Sequence, residues 1–321
     1  MKTIYFYSPK PISSEFLQMN PDEWLGLRNN FNSWILRTYL RLQEIYNCQF
    51  VDSIPEEGIL LADRDSLGNS YKYFDKVMLI CAKGDREYHS SAHLHIVQNP
   101  YDLENNQNSI WNPYYIPMWP QPQLIPRDKN RGSLIENVAF MGTRSQLDEQ
   151  LKSDKWIQAL EELNCKWLPI FDRNKWNDYT NIDAVVAVRT FDGNPYNNKP
   201  ASKLINCWRA GVPAILTPES SFMACRKSEL DFLIIKSLDE AITAVKKLKK
   251  NPELYLKMIT NGFDRGQEFT PESVKEQWID FFNNFAFPAY DKWQSDSQFT
   301  KRKDYLRRYL KLKSTRLINR I

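Results

Sequence analysis

Short apolar runs and amphipathic stretches alternate along most of the chain. In the first third, Thr3–Tyr7, 58–62, 76–81 and 93–97 are largely apolar runs, which are typical of parallel strands buried on both faces. The order strand, helix, strand, strand predicts a small Rossmann-like half. Its helix is predicted from apolar residues that recur at helical spacing, namely Trp24, Leu25, Leu27, Phe31, Trp34, Ile35, Thr38, Tyr39 and Leu42.

The second half of the chain alternates in the way that doubly wound α/β folds do. The capping box Ser237-Leu-Asp-Glu240 begins one helix, Asn251-Pro252 begins the next, and we expect Gly262 to end it. The segment after Pro271 is predicted to be helical. Earlier in this half, strands are predicted at 137–141, 166–170, 183–188, 212–216 and 232–235, with helices at 147–163 and 203–210.

A proline-rich stretch separates the two halves. Five of the 18 prolines lie between Pro113 and Pro126, and this density excludes helix and central strand and stiffens the backbone. We interpret the stretch as the crossing between two domains. The predicted organisation is a first domain over 1–130, a second domain over 131–270, and C-terminal helices with a basic tail over 271–321.

The most informative segment is 199–220, which predicts a loop, a helix, a sharp stop and a buried strand. The Ser202 hydroxyl is placed to cap the helix, Gly211 to end it in the left-handed region, and Pro213 to begin the strand. The helix start offers backbone N–H groups and a positive dipole end beside Lys199 and Lys203. This arrangement predicts a binding site for a diphosphate.

The same segment resembles a known family. Lys-Pro-x-Ser-Lys-Leu-x-Asn-x-Trp-x-Ala-Gly-Val-Pro is similar to the donor-site segment of GT-B glycosyltransferases, in which such a helix binds the nucleotide diphosphate of a sugar donor. Val138-Ala-Phe-Met-Gly142, the strand from Asp183 to Arg189 and the helices from Leu248 to Gly262 resemble the same family. The resemblance extends from about Val138 to Phe269 and is thin before it.

The resemblance implies an α/β fold of the GT-B type, with two Rossmann-like domains facing a cleft. The first domain would hold the acceptor and the second the donor nucleotide, and a terminal helix would cross back onto the first domain. The chain departs from the family's Glu-x7-Glu pattern, because Asn198 and Asn206 stand at those positions. An amide can hydrogen-bond a ribose hydroxyl without adding charge. Retention or inversion at the sugar therefore stays open.

Open α/β sheets bind ligands at the carboxyl ends of their strands, and such ends are predicted to hold Gly142-Thr143-Arg144, Arg189 and the loop 199–203. Positive charge there would stabilise the departing diphosphate, so we expect catalysis without a metal ion or other cofactor. Arg189 could bind the diphosphate through two parallel hydrogen bonds. The predicted set is Gly142, Thr143, Arg144, Arg189, Lys199, Ser202, Lys203, Asn206, Glu219 and Ser220. In this set Glu219 and Ser220 could contact the ribose or the sugar, and the alternative for Glu219 is an ordinary acidic turn residue.

A base that deprotonates the acceptor hydroxyl is expected from the first domain. The segment Lys83-Gly-Asp-Arg-Glu87 follows strand 76–81, and its Asp85 is our first candidate, with His89 as the second. The alternative for Asp85 is an ordinary solvated turn residue. His93 and His95 would share one face of a strand, but the sequence offers no obvious further ligands, and we predict no metal site.

The net charge of +4 is unevenly distributed. Residues 301–321 hold nine basic side chains and one acidic side chain, a formal +8, which leaves −4 on the rest. Two interpretations of this tail stay open. It either lies as an amphipathic helix on an anionic membrane surface or packs back on the body as a solvated helix. Nucleic acid is not expected as a partner, because no other basic patch is interleaved with aromatic residues.

The five cysteines are widely spaced and form no Cys-x-x-Cys pair, and the longest apolar runs are too short to span a bilayer. We expect a cytoplasmic protein, and a peripheral position at the inner face of the membrane stays open. The predicted function is transfer of a sugar from a nucleotide-sugar donor to a glycan or lipid-linked acceptor in polysaccharide or glycoconjugate synthesis. A sugar-nucleotide epimerase and a non-catalytic sugar-nucleotide-binding protein remain alternatives. A dinucleotide-dependent oxidoreductase is disfavoured, because no Gly-x-Gly-x-x-Gly follows a predicted strand.

Overall fold

The computed structural model describes residues 2–23, 31–106 and 108–318. Contacts between Cα atoms divide these residues into two compact units. The first unit holds the described residues of 2–119 together with 271–318, and the second unit is Pro120–Thr270. The division follows Trp119, inside the proline-rich stretch, whereas the sequence prediction ended the first domain at residue 130.

The first unit contains a parallel sheet of six strands in the order β2-β1-β3-β4-β5-β6. The four predicted strands are confirmed, and β3 and β4 are almost entirely buried. Two edge strands were not predicted, because β2 is only half-buried and β6 begins with a proline. The strands are β1 (Thr3–Tyr7), β2 (Asn47–Val51), β3 (Gly58–Asp63), β4 (Val77–Ala82), β5 (Leu94–Val97) and β6 (Pro113–Tyr115).

Helices connect these strands. A π-helical stretch at Phe31–Leu36 continues directly into α1 (Arg37–Leu42), and both fall within the predicted N-terminal helix. Its first predicted apolar residues, Trp24, Leu25 and Leu27, lie outside the described residues. Two further helices, α2 (Arg64–Leu67) and α3 (Pro100–Asn106), follow β3 and β5.

The second unit contains a parallel sheet of five strands in the order β11-β10-β9-β7-β8, as the sequence predicts for a doubly wound domain. Its strands are β7 (Asn137–Met141), β8 (Lys166–Ile170), β9 (Ala184–Ala187), β10 (Ala214–Leu216) and β11 (Leu233–Ile234). Its helices are α4 (Asp154–Glu162), α5 (Ser202–Ala210), α6 (Ser220–Cys225), α7 (Leu238–Lys250) and α8 (Pro252–Gly266).

Two predicted helix boundaries in this unit are wrong. Helix α4 begins at Asp154 instead of residue 147, because two 3-10 turns at Arg144–Gln146 and Glu149–Lys152 precede it. Helix α8 continues through Gly262 to Gly266. A Cβ on Gly262 would lie 3.3 Å from the Cα of Trp208, so this glycine allows α8 to pack closely on α5. Its role is packing rather than helix termination.

The C-terminal segment is helical and belongs to the first unit, which is what the resemblance implies. Trp278 packs against Trp34 with ring centroids 6.5 Å apart. The elements are α9 (Pro271–Asp280), a π-helical stretch at Phe281–Ala286, α10 (Phe287–Ser295) and α11 (Gln298–Ile318). In the described part of the chain, no helix has both the length and the apolar character that a membrane span requires.

Candidate functional site

Helix α5 ends at Gly211 as its sequence predicts. Gly211 has φ 68° and ψ 40°, in the left-handed region, and its N–H donates to the Trp208 carbonyl. The prediction that Ser202 caps the start is wrong. Ser202 is the first helical residue, and Ala201 occupies the N-cap position without a side-chain hydrogen bond. The N-cap side chain therefore takes none of the N–H groups of the first turn, which leaves them able to bind an anion.

Lys203 lies in the first turn of α5 and reaches the end of β7. Its Nζ lies 5.0 Å from the centroid of the Phe140 ring and 3.0 Å from the point that a Cβ on Gly142 would occupy. Burial, reinforced by the nearby Arg189 guanidinium, lowers the pKa of Lys203 to about 7. The predicted glycine turn and the predicted lysine are therefore brought together, and this lysine titrates near neutral pH.

A buried ion pair lies at the ends of the two neighbouring strands. Arg189 follows β9 and Glu219 follows β10, with Nε of the arginine 3.2 Å from Oε2 of the glutamate. The arginine Nη1 lies 3.5 Å from Oε1 of Gln146, and its guanidinium lies 5.5 Å from the centroid of the Tyr196 ring. Contacts on several sides therefore hold the guanidinium in place.

Glu219 shares its surroundings with three of the four predicted cations. Burial raises the pKa of its carboxyl group, although the positive charges of Arg189, Lys203 and Lys199 act in the opposite direction. The structure thus groups Arg189, Lys199, Lys203 and Glu219 in one electrostatic cluster. With three cations against one carboxylate, the cluster suits a ligand that carries negative charge.

The opposite end of β9 is fixed by a second buried network. Asp183, fully buried, accepts hydrogen bonds from Arg127, Arg131 and the backbone N–H groups of Glu136 and Asn137. Burial alone would raise the pKa of Asp183, but these hydrogen bonds outweigh it and the pKa lies below its usual range. This network holds the strand that carries Arg189.

Sequence reasoning missed several polar groups of this region. The buried atoms Thr217 Oγ1, Ser221 Oγ and Asn197 Oδ1 have no hydrogen-bond partner among the described residues. Buried polar atoms are usually paired, so groups without protein partners indicate where a ligand or water can bind. Thr217 and Ser221 flank Glu219 in the sequence, which is the one signal that could have drawn attention to them.

The remaining predicted donor residues are placed as follows. The backbone N–H of Gly142 donates to the Ile170 carbonyl at 3.3 Å, and that of Ser220 donates to the Pro195 carbonyl at 2.8 Å. Thr143 Oγ1 lies 3.3 Å from the hydroxyl of Ser145. The other two are Arg144, whose guanidinium lies over the Phe171 ring, and Asn206, which is partly buried on α5.

The two predicted bases lie in the first unit and differ in exposure. Asp85 is exposed and accepts a hydrogen bond from Nε2 of Gln98 at 2.6 Å. His89 is buried, and burial with the charge of Arg64 lowers its pKa to about 3. Such a histidine is neutral at physiological pH and has little access to an acceptor. Of the two, Asp85 fits the role of base better.

The other two histidines take part in the packing of the first unit. His93 Nδ1 accepts from the Leu79 N–H at 3.0 Å, and His95 Nε2 accepts from the His89 N–H at 3.0 Å. Within residues 2–23, 31–106 and 108–318, no group of three or more His, Cys, Asp or Glu side chains is arranged to hold a metal ion.

Comparison with known proteins gives structural neighbours alone. No protein family model matches the chain, and no curated protein matches it. Anabaena HepE, solved in complex with UDP, aligns with a TM-score of 0.52 and 11% identity over 89% of this chain and 100% of its own. A sucrose-phosphate synthase from Thermosynechococcus elongatus aligns with a TM-score of 0.50 and 12% identity over 72% of this chain and 74% of its own.

A third neighbour is the pneumococcal O-GlcNAc transferase GtfA, solved in complex with UDP and GlcNAc. It aligns with a TM-score of 0.51 and 10% identity over 74% of this chain, which spans only 57% of the GtfA chain. These neighbours and the two parallel sheets confirm the predicted fold class. The chain has the GT-B fold.

Proposed function

We propose that this protein is a glycosyltransferase that moves a sugar from a nucleoside-diphosphate donor to an acceptor hydroxyl. The observation that supports this proposal most directly is the cluster of Lys203, Arg189 and Glu219 beside the Gly142 turn, at the carboxyl ends of β7, β9 and β10. The N-terminal turn of α5 adds backbone N–H groups to the same cluster.

The cluster suits the charge that develops during glycosyl transfer. As the bond between sugar and diphosphate breaks, negative charge accumulates on the departing phosphate oxygens. Arg189 can donate two parallel hydrogen bonds to these oxygens while Glu219 holds its Nε. Lys203, with a pKa of about 7, takes up a proton when the dianionic ligand binds and then contributes a full positive charge. These charges are the reason to expect transfer without a metal ion.

The nucleobase and the acceptor are inferred from separate observations. HepE and GtfA were solved with UDP, which makes UDP the first nucleotide to test with this chain. We assign Asp85 as the base that deprotonates the acceptor hydroxyl, since its carboxylate is exposed and positioned by Gln98. We further propose that the acceptor is a glycan or a lipid-linked molecule at the cytoplasmic face of a membrane. The transfer would then serve polysaccharide synthesis.

One observation favours a second function. Asn198 and Asn206 stand where the family pattern has glutamates, so the site carries less negative charge around the ribose and sugar. A protein that binds a sugar nucleotide without transferring the sugar would tolerate this loss. Such a protein would bind UDP and the UDP-sugar with similar affinity and would neither hydrolyse nor transfer.

The decisive experiment is calorimetric titration with UDP, GDP, ADP, dTDP and CMP, with and without EDTA, followed by turnover assays. Micromolar binding of one diphosphate that EDTA does not change supports the metal-free donor site. Transfer from the corresponding sugar nucleotide only when an acceptor is added supports the glycosyltransferase. Turnover without acceptor points instead to an epimerase. Binding without any turnover supports the non-catalytic protein, and absence of binding to every nucleotide contradicts the proposal.

A further inference from the structure

Helix α11 packs on the first unit with an unusual distribution of side chains. Its buried face includes two cations, Lys301 and Arg308, together with Leu312. The Lys301 ammonium lies 4.3 Å from the centroid of the Trp293 ring, and Arg308 Nε donates to the Ser90 carbonyl at 3.0 Å. Arg316 pairs with Glu87 from the same side. The inward cations are therefore satisfied by the body of the unit.

The outward face of α11 is apolar along its centre. Phe299, Leu306, Leu310 and Leu317 are 77%, 53%, 65% and 64% exposed. They are spaced by seven, four and seven residues, so they fall within a sector of about 40° around the helix axis and extend over about 27 Å. This stripe lies opposite the buried face. A stripe of this length is unusual on a free surface and marks a site of interaction.

Exposed cations border the stripe on both sides. Arg302 and Lys313 lie along one edge, Lys303 and Arg307 lie along the other, and Lys311 lies further round the helix on the same side as Lys303 and Arg307. Asp304 is the only acidic residue of Gln298–Ile318, and it faces away from the stripe, 3.7 Å from Arg307. The outward face thus combines an apolar centre with five exposed positive charges.

The apolar centre and the flanking cations together discriminate between three possible partners for the outward face of α11. A second copy of α11 would bring cations against cations on both sides of the stripe, which is unfavourable. Nucleic acid would match the charges but not the apolar centre. An anionic bilayer matches both, since leucine side chains enter the boundary between headgroups and acyl chains while the cations meet the anionic headgroups.

We propose that the outward face of α11 docks on the surface of an anionic lipid bilayer, with the three leucines of the stripe, Leu306, Leu310 and Leu317, inserted and the flanking cations on the headgroups. This inference concerns a surface of the first unit and does not rest on the proposed transfer reaction. Nucleotide binding and bilayer binding are therefore separate measurements, and either can fail without the other.

The test is co-sedimentation of the full chain with two kinds of vesicle, phosphatidylcholine alone and an equal mixture of phosphatidylcholine and phosphatidylglycerol. The wild-type protein should pellet with the mixed vesicles and much less with phosphatidylcholine alone, and added salt should release it. In the variant L306S/L310S/L317S the partition coefficient onto the mixed vesicles should fall by more than about tenfold. In the variant K303Q/R307Q/K311Q the partition coefficient onto the mixed vesicles should fall by about a hundredfold, which is about fivefold for each charge removed.

Matched controls come from exposed positions on α7 and α8 in the second unit. The variant K246Q/K247Q/K250Q removes three exposed charges from α7, and L256S removes an exposed leucine from α8. Both should sediment like the wild type, and L306M/L310M should retain binding because it keeps the stripe apolar. Circular dichroism verifies that each variant is folded.

Four results would overturn the proposal. The wild-type protein could remain in the supernatant with the mixed vesicles, or pellet equally with both kinds of vesicle. The α11 variants could sediment like the wild type. Sedimentation velocity without vesicles could reveal a dimer that the leucine variant abolishes, which would assign the stripe to a second copy of the chain.

Discussion

Nε of Arg189 lies 3.2 Å from Oε2 of Glu219, and the two side chains expose only 11% and 2% of their surfaces. Arg189 lies two residues beyond the end of β9 and Glu219 three residues beyond the end of β10, so the pair joins the loops that leave these two strands. A buried pair of this kind contributes little net stability, but removing one partner leaves an uncompensated charge. We therefore expect two separable roles for the pair, which are to hold the strand ends and to present a guanidinium to the proposed ligand.

Arg189→Met should separate these roles. The buried Glu219 carboxylate loses its partner, so the free energy of unfolding should fall by about 3 kcal/mol. UDP binding should weaken by about 2 kcal/mol, because a charge-assisted hydrogen bond to phosphate is lost. Thermal unfolding and calorimetry measure the two effects. The double variant R189M/E219Q should recover most of the stability and none of the affinity. Recovery of both would reduce Arg189 to a structural role.

The affinity for UDP should depend on pH through Lys203. Its pKa of about 7 means that the free protein holds this lysine mostly neutral above pH 8. The bound diphosphate favours the protonated form, so binding takes up a proton above pH 7, and the affinity should fall as pH rises, by at most about tenfold per pH unit. Calorimetry in buffers of different ionisation enthalpy measures the number of protons taken up when UDP binds.

Two comparisons make the pH prediction specific. In Lys203→Met the affinity for UDP should be weaker at pH 7, and the loss of affinity between pH 7 and 9 should disappear. Uridine, which lacks the diphosphate, should bind the wild-type protein with little dependence on pH. An unchanged pH profile in the methionine variant would show that Lys203 is not the titrating group.

Gly142→Ala should disturb the proposed diphosphate site at the end of β7, opposite Lys203. A Cβ there would lie 2.7 Å from Cζ of the buried Phe140 ring and 3.0 Å from Nζ of Lys203. Because the ring has little room to move, we expect a loss of about 1–3 kcal/mol in stability and weaker UDP binding as Lys203 is displaced. Gly132→Ala is the control, since nothing lies within 4 Å of its Cβ and its cost arises from a positive φ. Wild-type affinity in G142A would contradict this geometry.

Strands that are buried on both faces were predictable from sequence, and edge strands were not. Residues 58–62 form an uninterrupted apolar run and are the core of the central strand β3. Asn47–Val51 mixes polar and apolar residues because it lies at the edge of the sheet, where only part of each side chain is covered. The local pattern reports burial, and an edge strand owes its structure to hydrogen bonds with its neighbour.

The candidate site was predictable in outline because some of its residues belong to local sequence patterns. A local segment suggested Lys199 and Lys203, and the carboxyl-end rule suggested Gly142 and Arg189. The position of Gln146 beside Arg189 depends on how the loops after β7 and β9 pack, and no spacing in the sequence encodes it. The lowered pKa of Lys203 likewise depends on burial by residues distant in sequence.

Asp85→Asn provides the sharpest test of the proposed base. The amide keeps an oxygen that can accept from Gln98 Nε2, so the local structure should be retained. The amide cannot accept a proton from the acceptor hydroxyl, and kcat should fall by about 10²–10⁴-fold. The affinity for UDP should not change, because Asp85 lies in the first unit and the predicted diphosphate site lies in the second. Asp52→Asn, at an exposed acidic residue of the same unit, is the matched control and should retain full activity. If D85N transferred sugar at the wild-type rate, Asp85 would be an ordinary solvated turn residue and the base would have to be sought elsewhere in the first unit.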